Sequence, residues 1–198
     1  MFGKLFEKLI LGSMLSILGC ERQNPRNLNK TEKVFWLSDS SGARESDATL
    51  LYRPGKLARF DIGFIGRGNS EISKDKLSRY EREAEAGGAI HDVVTFIVVD
   101  TLPPKSKKTQ EAASRIQAEI IQMNWQYWPL NLAQRLQARL GFNSELATLN
   151  ESQLRSYLTA KISSIPLQDL LNAFSVAELE EAAASESNES TTDSAGLG

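Results

Sequence analysis

Residues 93–99, VVTFIVV, constrain this chain more than any other stretch. Along a strand, successive side chains point to opposite faces, so a run with no polar alternation needs cover on both sides. The run is rich in β-branched residues and is closed by Asp100 and Pro103-Pro104. It reads as the central strand of a sheet.

Three other segments supply neighbours. Residues 34–37, VFWL, end in a turn cluster at 38–42, and residues 48–52 are stopped by Pro54-Gly55. Residues 57–65 alternate, with Phe60, Ile62 and Phe64 against Arg59, Asp61 and Gly63, the pattern of a half-buried strand. Residues 73–86 change to a helical period and end at Gly87-Gly88. From residue 105 onward the spacing is helical: Ile116, Ile120, Met123 and Tyr127 fall on one helix over 107–128 that Pro129 stops, and Leu132, Leu136 and Leu140 align on the next. Asn150-x-x-Gln153 and Ser175-x-x-Glu178 have the form of capping boxes, and Pro166 opens a helix carrying Leu167, Leu170 and Leu171.

Strands followed by helices predict an α+β architecture. The sheet is expected to be small and mainly antiparallel, with strands near 33–37, 48–52, 57–65 and 92–100, followed and covered by several helices. One domain is expected over 33–184, with a possible subdivision near 102–106 and a disordered acidic tail at 185–198.

The N-terminus suggests processing. Lysines at 4 and 8 precede an uncharged apolar run, residues 9–19, that ends at the single cysteine, Cys20. As a helix that run spans roughly 16 Å, half a hydrocarbon core, which is too short to cross but suits the apolar part of a secretory signal. Ile17-Leu18-Gly19-Cys20 resembles the lipobox of bacterial lipoprotein precursors. The resemblance implies a signal peptide over 1–19, cleavage between Gly19 and Cys20, and a lipid-anchored tether over 20–32. It also implies covalent diacylglycerol and acyl (palmitate-type) chains on Cys20 as the one lipid group, and a place in the bacterial envelope. Glu21 after the cysteine implies the outer membrane, facing the periplasm. The competing reading makes residues 1–19 an amphipathic packing helix of a non-exported protein, with Phe2, Leu5, Phe6, Leu9 and Ile10 at helical spacing.

Little in the rest suggests catalysis. With one Cys and one His, disulfide frameworks and multi-cysteine zinc sites are excluded, and no metal or small-molecule cofactor is expected. His91, Asp92 and Asp100 bracket one strand and cannot converge on it, and Gly63-x-x-Gly66-x-Gly68 has the wrong spacing for a phosphate loop. Residues 20–161 carry a net charge of +4 and residues 162–198 hold seven acids and no base, under an overall net charge of -2. That surplus is far below a nucleic-acid footprint, so no nucleic-acid partner is expected. Trp125, Tyr127 and Trp128 form the densest aromatic patch and are the candidate partner contact.

The expected function is therefore that of a membrane-tethered envelope lipoprotein, a non-enzymatic protein-binding or assembly factor. The alternative is a lipid-anchored hydrolase in which acids such as Asp61, Asp92 and Asp100 pair in space.

Overall fold

The structure, a computed structural model, describes residues 2–38, 46–63, 92–101, 111 and 118–171. Its apolar run becomes an eight-residue strand, β5 (Asp92–Val99). The strands before it are β1 (Glu21–Arg22), β2 (Val34–Leu37), β3 (Ala48–Arg53) and β4 (Lys56–Gly63), and β6 (Glu119–Gln122) follows. They form one six-stranded sheet in which spatial order equals chain order. β1 runs parallel to β2, β2–β3 and β3–β4 are antiparallel, and β4–β5 and β5–β6 are parallel. The sheet is thus mixed and mostly parallel, an α/β arrangement in place of the mainly antiparallel α+β one expected.

The helices in the described residues are α1 (Phe2–Ile17), α2 (Trp128–Leu140), α3 (Glu151–Ile162) and α4 (Leu167–Leu171), with a 3-10 turn at Glu145–Thr148. Ala58, Phe60 and Ile62 of β4 and Val94, Phe96 and Val98 of β5 alternate onto one sheet face. There they join Leu11, Met14 and Leu15 of α1 and Leu132 and Leu136 of α2 in a single buried cluster. Phe60 and Phe96 stack across the two strands at 5.3 Å between ring centroids. On the opposite face Val34, Ile97 and Val99 are also buried. β5 is therefore covered on both sides, as its composition required.

Three segments depart from the sequence reading. The helix expected over 107–128 gives way to β6, because β5 needs a hydrogen-bonding neighbour on its outer side and the Ile120-Ile121 pair fits a pleated surface. Pro129 opens α2 at its first turn, where a missing N–H costs nothing. The expected tether contains β1, and the Gln23 N–H donates to the Phe35 carbonyl at 2.8 Å. The Asn150–Gln153 capping box forms as read. The helix expected over 73–86, the capping box at Ser175 and the tail at 185–198 lie outside the described residues.

Gly19 has a conformational role that residue type alone did not disclose. Its φ is +81°, in the left-handed region. The Gly19 N–H donates to the Ser16 carbonyl and the Cys20 N–H to the Leu15 carbonyl, the two bonds of a Schellman motif. A small residue before Cys20 is therefore what ends α1. The helix itself is embedded: Leu11, Met14, Leu15, Ile17 and Leu18 are all buried.

Candidate active site

The β3–β4 hairpin places two acids side by side. The ladder ends at Ala48 and Phe60, and Asp47 and Asp61 are the next residues of the two chains there, with the Asp47 side chain reaching the β4 backbone one residue past Asp61. Asp61 is 1% exposed. The Asp47 carboxylate is fixed by the chain beyond Asp61: its Oδ2 accepts the Ile62 N–H at 2.8 Å. Alternation sends Asp61 to the face opposite Phe60 and Ile62, away from the α1–α2 core.

The pair sits at a particular edge. β2, β4, β5 and β6 all run in one direction and end there, while β3 begins there. Ser38 and Asp47 meet at this edge, the Ser38 N–H donating to the Asp47 carbonyl at 3.1 Å. Asp100 follows the end of β5, and its carbonyl accepts the Asn124 N–H at 2.9 Å. The Asn124 side chain donates to Thr101 Oγ1 at 3.0 Å, tying the exits of β5 and β6 together. The C-terminal ends of parallel strands are where open α/β sheets gather ligands.

The acids named from sequence are distributed unevenly over this geometry. Asp61 is in the pair. Asp100 shares the edge but lies three residues past Ile97, the register partner of Asp61, roughly 10 Å further along. Asp92 begins β5 at the other edge, with Lys56 as its register partner. Asp47 was missed for a physical reason. Arg53 pairs with Lys56 across the Pro54-Gly55 turn, and an unbroken register from there would set Asp61 opposite Ala48. An irregularity between Leu51 and Arg53 shifts the ladder by one and delivers Asp47 instead.

The other predicted positions fall elsewhere. Cys20 is 7% exposed and belongs to the core cluster. Burial pushes its thiol up to about 12, with Lys33 pulling weakly the other way. Trp125 is 46% exposed in the turn after β6 and meets Tyr127 edge-on at 5.6 Å. Tyr127 and Trp128 are partly buried against the core. His91, Gly66 and Gly68 lie outside the described residues. Among the described residues no three His, Cys, Asp or Glu side chains form a metal-binding group, and no helix is long and apolar enough to cross a membrane.

Comparison with known proteins gives a consistent result. A family model described as CfrBI restriction endonuclease matches residues 1–107. The Type II restriction enzyme CfrBI of Citrobacter freundii is 36% identical over 167 residues, which is 84% of this chain and 46% of that enzyme. The chain thus spans about half the length of the curated relative it matches. No solved structure matches.

These matches overturn the lipoprotein resemblance, and with it the envelope location, the lipid-anchored partner and the non-enzymatic binding role. The residues taken for a leader and a tether fall within the region the family model describes. The exclusion of enzymatic activity and of a nucleic-acid partner falls on the same ground.

Proposed function

Because this chain belongs to the CfrBI restriction endonuclease family, we propose that it takes part in the hydrolysis of DNA phosphodiester bonds as a restriction endonuclease, with Asp47 and Asp61 as the catalytic carboxylates. The observation that supports this assignment is that the Asp47 carboxylate is held on the β4 backbone next to Asp61, at the edge where four strands end.

In such a hydrolysis, water adds to phosphorus and one phosphorus–oxygen ester bond breaks. The chain's task is to hold oxygen ligands and substrate in line. The donor set fits a hard divalent cation such as magnesium, which takes one or two carboxylates and completes its shell with water. When bound, such an ion would polarise a phosphoryl oxygen and acidify a coordinated water. Asp47 and Asp61 would hold it. The Ile62 N–H orients the Asp47 carboxylate, and β4, packed through Phe60 and Ile62 into the core, makes the platform rigid. Trp125, exposed in the turn after β6, would face the nucleic acid as its apolar contact.

Plasmid cleavage in magnesium tests the assignment. Asp47→Asn and Asp61→Asn are expected to lose on the order of 100-fold or more in rate, since even residues that merely support metal ligands cost 10–100-fold. Thermal melting of each variant checks that it folds. Wild-type cleavage by either folded variant would overturn the assignment.

A further inference from the structure

A cleft of about 1060 Å³ opens along the β1 edge of the sheet, between α1, α4 and the loop after β1. Its walls carry three cations from separate places in the chain: Lys8 of α1, Arg22 of β1 and Arg26 of the following turn. The acids there are Glu21 and Asp169. Glu21 is ion-paired with Lys30, and Arg22 donates to the main-chain carbonyl of Asp169. Arg26 is exposed and forms no ion pair among the described residues. Its backbone is held by the Asn24 side chain, whose Oδ1 accepts the Arg26 N–H at 2.9 Å. Gln23 and Asn24 add neutral polar groups to the lining, and Trp36 a flat apolar one. Cations in excess, with amides beside them, suit a polyanion whose charges recur.

The cleft also adjoins the carboxylate pair. Ser38 lines it, and the Ser38 N–H is bonded to the Asp47 carbonyl. Neighbouring strands are about 4.8 Å apart, so β1 lies roughly 14 Å from β4 across the sheet.

We propose that the cleft receives DNA backbone phosphates away from the bond being cut, with Arg22 and Arg26 as the phosphate contacts. The proposal rests on the nuclease reading above and adds to it a positioning subsite that carries no sequence preference.

The test is equilibrium binding of the full chain to short duplexes of two unrelated sequences, without divalent cation, over a series of sodium chloride concentrations. Each phosphate contact adds about 0.9 to the slope of log K against log salt. Arg26→Gln should make the slope shallower by about 1 and Arg22→Gln/Arg26→Gln by about 2, equally on both duplexes. Arg53→Gln, at the hairpin end on the opposite edge, should leave it unchanged. Melting curves establish that each variant is folded.

Unchanged slopes in the double variant, with duplex still bound, overturn the cleft and leave the carboxylate assignment standing. A loss confined to one sequence, or one shared by Arg53→Gln, overturns it as well. Normal slope changes beside full cleavage by Asp61→Asn would uphold the cleft and remove the pair. A chain that binds no duplex at any salt overturns both.

Discussion

Asp61 and Cys20 are both nearly out of reach of water, at 1% and 7% exposure, yet their chemistry differs. A carboxylate held that deep at a strand edge is costly, and such costs concentrate at functional sites. Cys20 is placed as a small apolar residue would be, and its thiol is inert because the thiolate is the reactive form. Iodoacetamide at pH 8 should therefore leave Cys20 unmodified in the folded chain and label it in urea, as read by intact mass. Fast labelling of the folded chain would contradict its packed position. The linkage has a definite sign: burial favours the neutral thiol, raising its pKa from 9.0 to about 12. Below pH 9 the shift adds no pH dependence. Between the two values the unfolded chain releases its proton first, and stability falls by up to about 1.4 kcal/mol per pH unit. Cys20→Ala should remove that component of the alkaline decline in denaturant midpoint.

α1 is the element whose meaning changed most. Its apolar run, preceding lysines and terminal Gly-Cys have the composition of an exported leader, and composition does not reveal what a helix packs on. In the fold it buries four large apolar side chains in the core, and Gly12 lets Leu170 of α4 approach so closely that a Cβ there would stand 2.7 Å from its Cδ2. Each buried side chain contributes about 1.5–3 kcal/mol, so α1 accounts for an amount comparable to the whole stability of a domain. Removing residues 2–17 should yield a chain without a cooperative thermal transition by circular dichroism. A truncated chain that melts as the full one does would return α1 to the status of a dispensable leader. Four strands, β2–β5, and three helices, α2–α4, were legible in the sequence. The all-apolar 93–99 run, the alternation ending at Ile62 and the Pro54-Gly55 turn located β5, β4 and the hairpin, because local pattern and burial agree there. β6 was illegible since four residues with helical-compatible spacing become a strand only through the neighbour they pair with. Asp47 needed the hairpin's register shift, a property of two strands together.

For the molecule as a whole, net charge says little about local charge. The net charge of +4 over residues 20–161, on which no nucleic-acid partner was expected, averages over a cleft that has Arg22 and Arg26 in its lining, whereas a phosphate responds to the nearest cations within a Debye length of about 8 Å. Asp61 lies on the sheet face turned away from α1, whereas the cleft cations stand beside α1 and β1, so on the proposed reading the holding and the cutting of DNA are separable. Chelation of divalent cations should stop plasmid cleavage while duplex binding, followed by gel shift, persists; binding lost together with cleavage would join the two sites into one. The strictly sequential strand order has another consequence. Because chains are made from the N-terminus and domains gather as they emerge, each strand leaves the ribosome after the neighbour it will join, and α1, translated before the strands, already lies ready to cover β2 and β3. The sheet can then lengthen one strand at a time during translation, with its growing edge always the most recently made strand.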